Sequence, residues 1–146
     1  MTGHPKEHSR RDFVHRILSA ELKSMRISAG KVLSSADPEY LHDLRVAASR
    51  LSFALKSFRK FLGLDEHQVI GLRLKEARKI MGQARSFDIL ASRADQDIPD
   101  LDLSPAEIKS IRKMIRSRRA KCRRELVKML RSAGYEDMSG KIRSLV

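Results

Sequence analysis

The sequence predicts an all-α protein, an antiparallel bundle of four long helices followed by a short C-terminal segment. Apolar residues recur at alternating steps of three and four along most of the 146 residues, which is the period of one helix face. Clear helix starts interrupt this pattern, and we identify no strand. Short connections between long amphipathic helices are typical of antiparallel bundles.

Charge and composition narrow the class of partner. Lysine and arginine number 31 against 18 aspartate and glutamate residues, which gives a net charge of +13. Such an excess predicts a polyanionic partner: a nucleic acid, an inorganic phosphate polymer or an anionic membrane. With 41% hydrophobic residues the chain can build one core, so we assign 1–8 to a flexible basic N-terminus and 9–146 to a single domain.

Several absences make the sequence typical of a cytoplasmic, non-catalytic protein. Cys122 is the only cysteine, and the first residues lack the apolar segment of a signal peptide. No run approaches the ~18 apolar residues of a membrane-spanning helix. We find no Walker loop, zinc-protease motif or Cys/His metal pattern, and expect no metal, cofactor or catalytic residue. His4 and His8 have a helical spacing, but they fall in the expected flexible N-terminus.

Helix-start signals set the first two helices. The first is predicted from near Ser9 to near Ser34, and the second from Pro38 to about Leu62. Asp37 is a predicted N-cap, because its carboxylate can accept a backbone N–H bond. Proline suits the next position, since the first helical N–H needs no partner within the helix.

The second half of the chain is predicted to hold two more long helices. The third begins near Asp65 and ends before the acidic segment at Asp95. The fourth starts at a capping box and runs from Pro105 to about Ala133. The tail after Gly134, the predicted C-cap, is expected to form a short helix packed on an end of the bundle or on a partner.

The second helix carries the most informative pattern. One face is an apolar seam made of Leu41, Leu44, Ala48, Leu51, Leu55, Phe58 and Leu62. One residue after each early seam position, and ~100° around the helix, lies a stripe of hydrogen-bond donors without a carboxylate. Its members are His42, Arg45, Ser49, Ser52, Lys56 and Arg59. A helix with one face in a core and the next lined by cationic donors is suited to hold an extended anion.

The same offset from the apolar seam predicts donor stripes on the later helices, which we expect to meet on one shared surface or groove. Their charged members are Lys75, Arg78 and Arg85 on the third helix, and Lys109, Arg112, Arg116, Arg119 and Arg123 on the fourth. Gly71 and Gly82 interrupt the third-helix stripe and would let a ligand approach the backbone. Cations occur on every side of the fourth helix, so a merely solvated basic surface is an equal alternative there.

The segment from His42 to Leu51 resembles the signature helix of the conserved histidine α-helical domain, CHAD. Two motifs of that family are matched in order, and the matching residues are His42, Arg45 and Arg50, then Gly82, Arg85 and Asp88. The resemblance covers roughly residues 9–146. It implies a helical, non-catalytic domain that binds inorganic polyphosphate in a basic cavity and accompanies enzymes of polyphosphate or triphosphate metabolism. We also expect a cytoplasmic location, in association with polyphosphate granules.

Departures from the family pattern bear on affinity and assembly. Ser49 and Ser52 stand where the family usually has arginines, and Ser86 stands where the second motif usually has aspartate. The family commonly has two four-helix halves, whereas this chain has the length for one. We therefore expect a homodimer that rebuilds the two-half cavity.

Two residues have predicted roles in binding and in positioning, and three other functions are considered. A bound polyanion would favour protonated His42, so we expect tighter binding in mild acid. Asp88 is expected to orient Arg85 or Arg45, because a buried carboxylate needs a partner. The alternative function is a nucleic-acid backbone binder, although no aromatic side chain falls on the stripes of helices two to four. An enzyme is disfavoured by the missing motifs, and a membrane binder by the absence of a free apolar face.

Overall fold

A computed structural model describes residues 5–62 and 64–145, with side chains for 9–62 and 67–145. The described residues fold into five α-helices. They are α1 (Pro5–Ser34), α2 (Pro38–Ser57), α3 (Leu64–Asp97), α4 (Pro105–Leu130) and α5 (Ala133–Ser144). Short 3₁₀ turns follow α2 at Arg59–Phe61 and α3 at Ile98–Asp100. The described residues contain no strand, so the all-α prediction is confirmed.

The predicted starts of α2 and α4 are confirmed by their capping bonds. Asp37 accepts the N–H of Glu39 at 2.9 Å at the start of α2. At the start of α4, Ser104 Oγ accepts the N–H of Glu107 at 3.2 Å, and the Glu107 carboxylate accepts the N–H of Ser104 at 2.7 Å. These bonds to Ser104 lower the pKa of Glu107. Each cap satisfies N–H groups that have no partner within the helix.

Helix boundaries in the first half differ from the prediction. α1 begins at Pro5, within the segment expected to be flexible, while residues 1–4 lie outside those described. The two histidines of the N-terminus also lie outside the described side chains. α2 ends at Ser57 and not at Leu62, because the chain tightens into a 3₁₀ turn.

Boundaries in the second half differ where new caps form. α3 continues to Asp97, through the beginning of the acidic segment. α4 ends at Leu130, because Ser132 Oγ accepts the N–H three residues on at 3.2 Å and starts a new helix. Gly134 therefore lies inside α5 and does not cap α4.

One apolar core joins α1, α2, α3, α5 and the C-terminal part of α4. α1 packs on α2, α2 on α3 and α3 on α4, and α5 packs mainly on α3. Complete burial of one leucine contributes about 2 kcal/mol. The largest fully buried side chains are Leu18, Met25, Leu41, Leu44, Leu51, Ile70, Leu74, Met81, Leu126, Met138 and Ile142.

The core does not follow α3 and α4 along their whole length. Its last member on α3 is Ala84, and its first member on α4 is Leu126. Between them, residues 86–122 form a helical hairpin that projects from the bundle, and we name it the arm. Only Ile98 and Ile115 are buried within it. Apart from Cys122 at its root, which packs against the main core, the arm therefore packs on itself.

Candidate polyanion-binding site

α2 and α3 bring three of the predicted binding residues into contact. Arg78 of α3 donates to Ser52 Oγ at 3.3 Å and to Ser49 Oγ at 3.4 Å. Burial of Leu51 in the core fixes the rotation of α2 and thereby turns both serines towards α3. These bonds are long and exposed, so they contribute little stability and leave the guanidinium accessible to an anion.

Further donors flank this contact along the two helices. Because α2 and α3 are antiparallel, His42 and Arg45 lie on one side of it, and Lys56 and Lys75 on the other; all four are exposed. We name this surface the α2–α3 strip; it consists of His42, Arg45, Ser49, Ser52 and Lys56 of α2 with Lys75 and Arg78 of α3. From residue 42 to residue 56 it extends ~21 Å.

The strip has an uncompensated positive charge. Among the described residues, none of its four lysine and arginine side chains forms an ion pair, and neither does His42. Asp43, which follows His42 in sequence, lines the groove between α1 and α2. The positive potential is therefore available to an anion, and binding through it should weaken with added salt.

Two glycines border the strip at positions where packing does not require a glycine. A Cβ atom added at Gly71 or Gly82 would meet nothing within 4 Å. Glycine inside a helix costs roughly 0.5–1 kcal/mol relative to alanine. The space beside the backbone is therefore open at both positions.

Arg85 secures the start of α2. It donates to the carbonyl of Pro38 at 3.0 Å and lies 3.9 Å from the Glu39 carboxylate. Its side chain is 16% exposed. Arg85 is thus a positioning residue for the helix that carries most of the strip.

Asp88 pairs with a different arginine from those predicted. Its carboxylate accepts from Arg119 Nε at 2.7 Å, and its side chain is 13% exposed. Arg119 reaches Asp88 because α4 packs directly on α3 at the root of the arm. The expected partners, Arg85 and Arg45, do not form this pair.

Arg123 holds the end of α1. It donates to the carbonyl of Ser35 at 2.7 Å and also to the carbonyl of Val32. The last carbonyls of a helix lack partners within the helix and carry partial negative charge, so a guanidinium there is stabilising. Arg123 is therefore engaged inside the fold.

The remaining predicted residues lie apart from the strip. Arg112 and Arg116 are exposed on the arm. Arg50 lines the groove between α1 and α2 together with Glu21 and Asp43. The structure thus joins the α2 and α3 stripes on one surface, but it does not add the α4 stripe to them.

Sequence analysis missed the structural roles of Arg119 and Arg123. The available signal was position, since each lies within one helical turn of a buried seam residue, Ile115 or Leu126. It also missed Asp137, which pairs with Arg73 and fastens α5 to α3. Hydrogen bonding from Arg73 lowers the pKa of Asp137.

Two kinds of feature are absent from the described part of the chain. No three His, Cys, Asp or Glu side chains are grouped there as a metal site. None of its helices has an apolar stretch long enough to traverse a bilayer.

A family match accounts for the motifs on α2 and α3. The family described as CHAD domain matches residues 16–146, nearly the whole chain. The chain belongs to the CHAD family. No curated protein and no solved structure matches it. In this CHAD domain Arg85 of the second motif donates to the carbonyl of Pro38, at the start of the helix that carries the first motif.

Proposed function

We propose that this CHAD domain binds inorganic polyphosphate, without catalysis, through the α2–α3 strip. The observation that carries the proposal is the accessible guanidinium of Arg78 beside Ser49 and Ser52, flanked by exposed donors that have no acidic partner among the described residues. Family membership supports the choice of ligand, because CHAD domains are associated with polyphosphate binding.

The geometry suits a polymer better than a single phosphate. The strip extends ~21 Å along α2. Arginine can donate two hydrogen bonds to phosphate, lysine acts as a point charge, and serine adds neutral donors. Because each phosphate unit carries charge, binding by counterion release would be steeply salt-dependent.

Arg78 also accounts for the two serines that depart from the family pattern. The family usually has arginines at the positions of Ser49 and Ser52. Here short hydroxyl side chains leave room for Arg78, whose guanidinium reaches across from α3. In our proposal, a cation from α3 thus replaces cations that the family places on α2.

Nucleic acid is the alternative ligand, and the placement of aromatic rings speaks against it. Binders of single strands commonly stack bases on aromatic side chains. The strip has none, and the exposed Phe13 and Phe53 lie in the groove between α1 and α2. We further propose that the protein acts in the cytoplasm, at polyphosphate granules.

Titration with polyphosphate of defined chain length tests the strip. Arg45→Ala/Arg78→Ala should lower the affinity about tenfold or more, because two charge-assisted contacts are lost. It should also reduce the slope of log K against log salt by ~1–2. Arg124→Ala/Lys128→Ala, which removes the same charge from the exposed side of α4, is the matched control and should change affinity much less. Equal losses in both variants would mean that general charge, and not the strip, binds the polymer.

Competition separates the two ligands. At equal phosphate concentration and fixed salt, we expect RNA and DNA to displace long-chain polyphosphate poorly. If either nucleic acid displaces it efficiently, the protein is a nucleic-acid backbone binder.

A further inference from the structure

The arm has too little apolar burial to account for its own length. Across residues 86–122 only Ile98 and Ile115 are buried, whereas Leu90 is 44% and Met114 is 51% exposed. Helices in proteins are stabilised mainly by tertiary packing of an apolar face. An apolar face of the arm is therefore left without a partner in the described chain.

Contacts at the root of the arm show which face this is. Arg85 reaches α2, and Arg123 of α4 reaches the end of α1. Leu90 of α3 and Met114 of α4 fall on the other side of the α3–α4 seam, at 100° per residue. We name this surface the free face of the arm.

Two helical stripes make up the free face. Spacings of three and four residues place the members of each stripe on one side of their helix. The α3 stripe is Phe87, Leu90, Ala94 and Asp97; the α4 stripe is Glu107, Ile111, Met114, Arg118 and Lys121.

Charge is distributed on the free face in a self-complementary way. Glu107 lies seven residues before Met114 and Lys121 seven residues after it, so each is ~10.5 Å from Met114 along α4. Asp88 pairs with Arg119, so these two residues lie at the same level of the antiparallel hairpin. Asp97 lies nine residues nearer the tip than Asp88. It is therefore level with the α4 residue that is nine positions before Arg119, which is four positions before Met114. Acidic groups thus lie towards the tip and basic groups towards the root, with apolar residues between them.

We propose that the free face binds the free face of a second copy of this chain, with the two arms antiparallel. A twofold axis at Met114 places Glu107 opposite Lys121 of the other copy, and brings Asp97 level with Arg118 of the other copy. It also sets Met114 against Met114. A twofold interface uses the same patch on both subunits, as this pattern requires. Parallel arms would set acid against acid and base against base, which is unfavourable.

The dimensions of the arm fit this arrangement and set its strength. From Pro105 to Arg123, just beyond the root of the arm, α4 is ~27 Å long. In the antiparallel pair, the tip of one arm therefore reaches the root of the other, where α1 ends. Two helices side by side are ~20 Å wide. The interface would bury roughly 1,000 Å² in total, the lower end for specific complexes, so we expect a weak dimer.

Sedimentation velocity without polyphosphate tests the dimer, so its failure would leave the proposed function untouched. Between about 1 and 200 μM, a span chosen for weak association, the mass should rise from that of the 16.7 kDa monomer. Met114→Glu should abolish the rise, because two carboxylates would meet on the axis. Ile89→Glu is the matched control, since Ile89 is 45% exposed on the side of α3 away from α4, and it should retain the dimer.

Charge reversal tests the register. Glu107→Lys and Lys121→Glu should each be monomeric alone, because each sets like charges opposite one another. An equimolar mixture of the two should dimerise again, which a merely destabilised arm would not do. A wild-type monomer at every concentration, an equal effect of Ile89→Glu and Met114→Glu, or no recovery in the mixture would overturn the proposal.

Discussion

Replacement of Arg123 by alanine should cost stability and not polyphosphate affinity. The guanidinium donates to the carbonyls of Ser35 and Val32 at the end of α1. A hydrogen bond from a charged donor contributes about 1.5–3 kcal/mol, and relief of the guanidinium's own burial offsets part of the two-bond total. We therefore expect the free energy of unfolding to fall by about 2–3 kcal/mol, and Tm by about 6–9 °C.

Urea unfolding followed by circular dichroism measures this loss, and titration at a temperature where both proteins are folded measures affinity. Arg124→Ala is the matched control, because Arg124 is exposed on the same turn of α4; it should change stability by less than about 0.5 kcal/mol. Our reasoning fails if Arg123→Ala unfolds like the wild type while binding polyphosphate more weakly than Arg124→Ala does.

Three further outcomes are expected. Asp88→Ala should lower the free energy of unfolding by about 1–2 kcal/mol. A double-mutant cycle with Arg119→Ala should show coupling, because the two side chains pair at 2.7 Å. Additive effects of the two substitutions would show that the pair contributes nothing to stability. Gly82→Ala should raise the free energy of unfolding by up to about 1 kcal/mol, since nothing lies within 4 Å of the added Cβ. The same substitution should weaken polyphosphate binding. Unchanged affinity would show that no ligand approaches the backbone at this position. Burial raises the pKa of Tyr135 from 10.0 to about 12, so the neutral phenol favours the fold fully below pH 10, and this is lost as pH rises to 12. Between pH 10 and pH 12 the free energy of unfolding should fall by about 2 kcal/mol more in the wild type than in Tyr135→Phe. If the urea midpoint changes equally in both proteins over this interval, the reasoning is refuted.

The local order of residues was sufficient to predict the four long helices and the starts of α2 and α4. Asp37 caps α2, and Ser104 with Glu107 caps α4, because capping involves groups only two or three residues apart. The end of α4 was missed, because Ser132 starts a new helix where Gly134 had suggested a C-cap. The helix start at Ser132 and the C-cap suggested by Gly134 both depend on residues close in sequence. The two signals lie less than one turn apart, and the helix start prevails.

The donor stripe of α2 was equally readable, since the 3.6-residue period fixes which side chains flank the buried Leu44 and Leu51. The expected shared surface included the stripes of α3 and α4; the structure shows Arg78 of α3 in contact with Ser49 and Ser52, while the α4 stripe lies apart.

What the sequence by itself determined is therefore the set of helices, their buried faces and the stripe that adjoins each face. The tertiary structure alone decided which cations turn inward, as Arg119 and Arg123 do, and where α3 and α4 extend beyond the core. The physical reason is range. Periodicity and capping act within one or two turns, whereas the rotation of one helix against another, and the overhang of a long helix beyond a short one, depend on packing between residues far apart in the chain.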